Sequence, residues 1–287
     1  MKILVLGSSG LLGRYFCQSN SQKGHLLSEY NRSLYPKSDF TNSDSIIEII
    51  KKEKPNAVVN CVAVTSFEDC EQNYEIAYQV NAKTPSDISI YCHSKNIKFI
   101  HISTDHFFGG KKKVAHSEYD EVELINNYAR TKHEGEQLVL NIDSSLVLRT
   151  SIIGRTAEKR TLLDWILNAM KDNLSVNLYE DAFTSFIHCN QLSTIIYQLL
   201  DLNASGLYNV GSSDVFSKAE FCLDLANSLN YKLDYSLSKS ESQDIKRSIS
   251  CGLSSNKLTK KHSIKVPSLN EVIQECTLEH KSFGNQN

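Results

Sequence analysis

Tyr128-Ala129-Arg130-Thr131-Lys132 sets a phenol and an ammonium four residues apart, and so on one face of a helix. A lysine so placed can lower the phenol pKa by its charge. The phenol can then exchange a proton with a carbonyl or carbinol, although many helices carry such a pair without using it. Upstream, the apolar run Phe99-Ile100-His101-Ile102 ends in Ser103-Thr104-Asp105. Ligands bind outside the C-terminal edge of open parallel sheets, where the Thr104 hydroxyl can hydrogen-bond a reacting oxygen as charge builds on it. A plain polar strand end has the same composition. At the start of the chain, Lys2 to Leu6 runs into Gly7-Ser8-Ser9-Gly10-Leu11-Leu12-Gly13. Glycines there let the backbone turn sharply and approach a pyrophosphate, whose charge the amides of the helix N-terminus meet, and Gly13 permits close packing of helix on strand. Each signal alone has an ordinary explanation; the three in this order point to a dinucleotide-dependent reaction at a carbon–oxygen centre.

The elements needed to position these groups are legible. Apolar runs at Lys2 to Leu6, Ala57 to Val62, Lys98 to Ile102 and Ser145 to Leu148 alternate with helix-like stretches, which implies a parallel sheet with right-handed crossovers. Leu11 to Asn20 and Ser43 to Lys52 have helical apolar spacing, with Ser43 and Asp44 as candidate N-caps. Thr84 to Lys95 is expected to be a helix opened by Pro85 in its first turn. Beyond about residue 150 the rhythm changes. Helices are expected over Thr161 to Lys171, Asn190 to Leu202 and Ser217 to Leu229, the last capped by Ser217, with a short strand at Gly206 to Val210. The polar end is expected to be loosely held.

Selection of the adenosine should occur after the second strand, where an acid binds a ribose 2′-hydroxyl and a base a 2′-phosphate. Ser28-Glu29-Tyr30-Asn31-Arg32 offers both: Glu29 argues for NADH and Arg32 for NADPH, with NADPH slightly favoured. Asp39-Phe40 can hold adenine by a polar contact and an apolar wall, or Asp39 can cap a turn.

The 287 residues admit one or two domains, and 40% hydrophobic with 22% charged residues is ordinary for a globular core. A net charge of −2 gives no footprint for nucleic acid or an anionic membrane. Eight cysteines without a C-x-x-C pair imply neither zinc nor a dithiol motif, so no metal is expected, and they read as small buried hydrophobes. With no secretory signal and no apolar run near the ~18 residues of a membrane span, a reducing cytoplasm is the expected location.

Together, Gly7 to Gly13, Ser103-Thr104-Asp105 and Tyr128 to Lys132 resemble the signature set of extended short-chain dehydrogenase/reductases, in particular the dTDP-4-dehydrorhamnose reductase branch. Asp39-Phe40, Pro55 to Asn60, Thr65, Val80-Asn81, Ile102 to Gly109, Asn126 to Lys132 and Leu148 to Ser151 follow that branch's order to about residue 258. The resemblance implies an α/β fold: a Rossmann-type doubly wound parallel sheet over residues 1–150, and a smaller substrate-binding lobe, mainly 151–287, from which segments can return to the first domain. It implies a dinucleotide lined by Gly7, Gly10, Leu11, Leu12, Gly13, Arg32, Asp39, Phe40, Ala63, Val64 and Thr65, with Lys132 fixing its ribose and Tyr128 beside it. Tyr128 would protonate the new alkoxide, assisted by Thr104, on a nucleotide-linked 4-keto-6-deoxy sugar. Thr104, Asp105, Ile152 and Arg247 would face that sugar. A homodimer is left open.

The departures bear on which sugar fits. Ile152-Ile153 stands where relatives carry an aromatic, Ala182 to Phe186 replaces a Gly-x-Pro-Thr loop, Ser248 replaces a proline, Ala129 a glycine and His106 a tyrosine. His106 can tune protonation or be a neutral, satisfied histidine. Two other readings use the same core. One is an epimerase or dehydratase that retains its cofactor, though Asp105-His106 lacks the Asp-Glu pair typical of dehydratases. The other is a non-catalytic regulatory subunit like that of methionine adenosyltransferase.

Overall fold

The computed structural model describes residues 1–20, 24–35, 39–156, 161–240 and 245–284. In chain order the elements are β1 (Lys2–Leu6), α1 (Leu11–Ser19), β2 (Leu26–Tyr30), α2 (Ser43–Glu53), β3 (Ala57–Asn60), α3 (Phe67–Gln72), α4 (Tyr74–Tyr78), α5 (Thr84–Ser94), β4 (Lys98–Ile102), α6 (Asn127–Leu140) and β5 (Leu146–Thr150). There follow β6 (Ile152–Ile153), α7 (Leu162–Lys171), β7 (Val176–Tyr179), β8 (Phe183–Thr184), β9 (Ile187–His188), α8 (Cys189–Asp201), β10 (Gly206–Val210), β11 (Phe216–Ser217), α9 (Lys218–Ser228), β12 (Tyr235–Ser238), β13 (Ser250–Cys251), α10 (Asn256–His262) and α11 (Leu269–Gly284). The chain divides into two compact units: Met1–Phe107 with Leu124–Arg149 and Ser193–Tyr208, and Phe108–Glu123 with Thr150–Leu192 and Asn209–Asn287.

The first unit is the expected α/β sheet. Its strands lie in the order β10-β5-β4-β3-β1-β2, and β1 to β5 pair in parallel. Strands covered on both faces read as continuous apolar runs, and β1 and β3 are buried almost throughout. The order reverses between β1 and β3, so the loops after these strands flank the switch point where open sheets bind ligands.

One local expectation needs correction. The N-cap of α2 is Asn42, whose side chain accepts from the Ser45 N–H at 3.2 Å, rather than Ser43 or Asp44. Asn42 is the last residue with extended dihedrals, and Asp44 lies in the first turn, where its negative charge complements the positive end of the helix dipole. Pro85 lies in the first turn of α5, as expected, but α5 does not start from a loop. The helical path runs on from α4 through a π-turn at Gln79–Lys83 into α5. Pro85 has no N–H to give the Asn81 carbonyl four residues back, and the widened turn absorbs the mismatch.

A buried ion pair locks α6 to the sheet. Glu136 accepts from Arg149 Nε at 3.0 Å and from the Ser103 hydroxyl at 3.0 Å, with both charged side chains almost wholly buried. Arg149 also lies over the Phe107 ring, 5.1 Å from its centroid. Removing one partner strands the other charge, so Arg149→Met should lower the unfolding free energy by about 3–5 kcal/mol. A denaturant midpoint measures this; the Glu136→Leu, Arg149→Met double variant should recover much of the loss.

The second unit has its own core, in which α7, α9 and α11 supply Leu163, Ile166, Phe221, Leu225, Val272 and Ile273. Capping boxes start α7 (Thr161 with Asp164) and α9 (Ser217 with Glu220), the latter cap as expected. The expectation of a loosely held end fails up to Gly284. Leu269, Val272, Ile273 and Cys276 form an i, i+3, i+4, i+7 stripe packed in that core. Polar residues between and just beyond them mask it in the sequence, and two of these anchor α11: Glu279 meets buried His188 at 3.1 Å and Glu275 accepts from Asn190 at 2.9 Å. None of the eight cysteines forms a disulfide; Cys17 and Cys61 are half-buried and the others buried. Among the described residues no helix is long and apolar enough to cross a membrane.

Candidate active site

The loop after β1 is a backbone cradle. Gly7 has φ +78°, a conformation other side chains rarely adopt, and its N–H donates to the Tyr30 carbonyl at 2.8 Å, tying the turn to β2. A Cβ on Gly13 would lie 2.3 Å from the Gly7 carbonyl oxygen and 2.8 Å from Ser8 Cα, so only glycine lets α1 sit this close. The N-cap of α1 is Gly10, which makes no side-chain capping bond, and the first turn holds no acidic residue. A cradle of this kind, with helix amides left to a ligand and no carboxylate to repel it, fits a dinucleotide pyrophosphate. Leu11 and Leu12 form the first turn of the helix, Leu12 buried.

At the adenosine end β2 stops at Tyr30 and is followed by buried Asn31. Its amide donates to the Ser8 hydroxyl at 2.6 Å while its oxygen accepts from the Ser33 and Leu34 N–H groups, both at 2.9 Å. The position next to the strand is therefore neutral and already engaged, and Arg32 follows it, exposed. Asp39 accepts from the Thr41 N–H and hydroxyl; these bonds hold its carboxyl below the usual range, with a smaller pull from Arg32. Its turn-capping use is thus realised. Phe40 is buried edge-on to Tyr30 at 5.7 Å between centroids.

Ala63, Val64 and Thr65 form the segment after β3, and a residue on the π-turn fixes their course. Buried Asn81 accepts from the Val64 N–H at 2.8 Å and donates to the Val64 carbonyl at 3.0 Å and to Thr131 at 3.1 Å. One side chain thus aligns this loop with α6.

Ser103-Thr104-Asp105 leaves the C-terminal end of β4, all three buried. The Thr104 hydroxyl approaches Asp105 at 3.3 Å and accepts from the His106 N–H at 3.3 Å. Asn126 caps α6, accepting from the Ala129 N–H at 2.8 Å, and so places Tyr128 and Lys132 one turn apart. Tyr128 packs edge-on to Phe67 at 5.1 Å and to His106 at 6.1 Å. Lys132 is 1% exposed and donates to the Ile102 carbonyl at 2.6 Å. Burial pulls its pKa down to about 8, against the opposing pull of Glu136.

The first unit therefore holds the glycine loop, Arg32, Asp39, Phe40, Ala63 to Thr65, Thr104, Asp105, Tyr128 and Lys132. Ile152 and Arg247 belong to the second: Ile152 pairs with Ile187 in a two-stranded sheet, and exposed Arg247 precedes buried Ser248, whose hydroxyl donates to the Phe108 carbonyl. The sequence reading missed Asn31 as an engaged amide, and it missed Phe67, Glu136 and the buried pair Asn60 and His101. A polar residue inside an otherwise apolar strand was the available signal for the last.

The model of the RmlD substrate binding domain matches residues 1–282. The chain belongs to this family. A probable low-salt glycan biosynthesis reductase of Haloferax volcanii is 29% identical over 77% of this chain and 78% of its own. The dTDP-4-dehydrorhamnose reductase of Aggregatibacter actinomycetemcomitans is 32% identical over 52% and 51%. Among solved structures, dTDP-4-dehydrorhamnose reductase of Bacillus anthracis in complex with NADP superposes with a TM-score of 0.89, covering 97% of this chain and 99% of the other at 21% identity. At that identity the superposition speaks for the fold, which this RmlD-family chain shares nearly end to end.

Proposed function

We propose that this chain is an NADPH-dependent reductase of a nucleotide-linked 4-keto-6-deoxy sugar. The observation that carries the reading is Tyr128 and buried Lys132 one turn apart on α6, with Lys132 bonded to the end of β4, in the unit that also holds the glycine-only cradle after β1. The relatives named as reductases of such sugars support the substrate class. A reduced nicotinamide cofactor, which the Gly7 to Gly13 cradle and Lys132 would hold, would supply the hydride. Tyr128 gives its phenolic proton to the oxygen that gains charge, Thr104 donates a hydrogen bond to the same oxygen, and Lys132 supports the phenol by its charge and anchors the ribose. Asp105, Ile152 and Arg247 are assigned to the sugar nucleotide.

The preference for NADPH rests on the end of β2. A carboxylate that would hold a free 2′-hydroxyl is missing at position 31, where Asn31 has committed both ends of its amide, and Arg32 follows it. A small-molecule substrate, rather than nucleic acid, suits the charge of −2.

The test is the absorbance of the reduced cofactor, with purified protein and a panel of nucleotide-linked 4-keto-6-deoxy sugars. Consumption of NADPH with at least one sugar is expected, with kcat/KM about 10-fold or more above that for NADH. Tight binding of NADPH without consumption with any of them would oppose the reading.

A further inference from the structure

Next to Lys132 lie two buried polar residues to which the proposed reduction gives no task. His101, within β4, is fully buried. Its Nδ1 stands 3.1 Å from Asn60 Nδ2, and its Nε2 stands 3.4 Å from Lys132 Nζ. The Asn60 amide is oriented independently, because its oxygen accepts the Val62 N–H at 3.1 Å. That leaves the NH2 group facing Nδ1, so Nδ1 must accept. Burial, reinforced by Lys132, holds the imidazole pKa far below its ordinary value and keeps the ring neutral. A neutral imidazole that accepts at Nδ1 carries its proton at Nε2, and that N–H faces Lys132.

An ammonium has no lone pair to receive it; an amine does. Nε2 stands 3.4 Å from Lys132 Nζ, which spends one proton on the Ile102 carbonyl at 2.6 Å. We propose that Asn60 and His101 form a positioning pair that turns Nε2–H toward Lys132, whose nitrogen the Ile102 carbonyl holds at the end of β4, and that this favours release of the lysine proton toward Tyr128. The inference rests on the reductase reading of this site.

The proton count closes. The Tyr128 O–H bond breaks as its proton passes to the substrate oxygen. A Lys132 N–H bond then breaks to restore the phenol, and the new amine lone pair accepts Nε2–H until solvent returns a proton to the amine. His101 neither gains nor loses one. The other ionisable groups acting on Lys132 are Glu136 on its own helix, itself held by Arg149 from β5, and the Cys61 thiol after β3, which desolvation pushes up to about 12 and so keeps neutral. His101 is the side chain of β4 that faces Lys132.

The decisive measurement is 15N NMR of the full-length protein labelled in histidine. His101 is expected to show a protonated Nε2 and a bare Nδ1 from about pH 5 to about pH 9. An Nδ1–H tautomer or an imidazolium in that range overturns the proposal. This readout needs no turnover, so it stands apart from failure of the reductase reading, which would show as absence of cofactor consumption. The second arm is the pH profile of kcat/KM. The native protein should lose activity as Lys132 deprotonates through about 8. His101→Phe should move that alkaline limb up by about 1 pH unit, whereas His101→Gln, which can still present an N–H, should leave it in place. An unchanged limb in folded His101→Phe contradicts the pair; should that variant not fold, the tautomer of the native protein decides.

Discussion

Tyr128→Phe is expected to cut kcat by about 10²–10⁴-fold while leaving NADPH affinity within about twofold. The loss corresponds to about 3–5 kcal/mol of transition-state stabilisation. The substitution deletes one hydroxyl and keeps the ring, whose edge-on contacts with Phe67 and His106 hold it beside the end of β4. Packing and helix geometry therefore survive, and what disappears is the proton donor. Rapid-mixing kinetics of cofactor oxidation, with calorimetric titration of NADPH alongside, separates the two quantities. Equal kcat in variant and native protein would remove Tyr128 from the chemistry; loss of cofactor binding together with rate would make it a structural residue.

Gly13→Val should have the opposite signature, with NADPH affinity falling by about 100-fold or more. The atoms its side chain would meet are the backbone of Gly7 and Ser8, at 2.3 Å and 2.8 Å from the first added carbon, and backbone cannot swing aside as a side chain does. Relief requires α1 to move off β1, which dismantles the cradle and costs about 1–3 kcal/mol of stability through overpacking. Gly10→Ala is the control, since its Cβ would stand 3.2 Å from the Gly7 oxygen and needs a shift of only a few tenths of an ångström. Calorimetry should rank native, Gly10→Ala and Gly13→Val in falling affinity. Native-like binding by Gly13→Val would mean that the dinucleotide does not use this loop.

Much of this site is readable in the sequence because local rules dictate it. A glycine repeat between an apolar run and a helical stretch, a four-residue spacing on a helix, and hydroxyls at the end of a strand each follow from short-range geometry, and the structure forms them as Gly7 to Gly13, Tyr128 with Lys132, and Ser103 to Asp105. What escapes the sequence is set by partners far along the chain. His101 looks like one polar interruption of a strand until Asn60 and Lys132 are seen beside it. Glu136 looks like an exposed helix acid until Arg149 meets it from β5. Asn81 acquires meaning only where the π-turn brings it to Val64 and Thr131. The α11 stripe was lost for a different reason: its apolar residues have correct helical spacing, but the glutamates between and just beyond them, which anchor the helix to residues near position 190, lower the mean hydropathy of the segment.

The site's central claim is a hydride transfer completed by a proton from this chain. The most direct measurement follows the label: NADPH carrying deuterium at both C4 positions of the nicotinamide is incubated with the protein and a nucleotide-linked 4-keto-6-deoxy sugar, and the product is read by NMR and mass spectrometry. The expected result is one deuterium on the sugar carbon that was the ketone, with stoichiometric oxidised cofactor released. Inversion at a sugar carbon with the cofactor retained and unconsumed, or tight binding of NADPH with no label transferred to any such sugar, would contradict it, the first in favour of an epimerase and the second in favour of a regulatory dinucleotide-binding subunit.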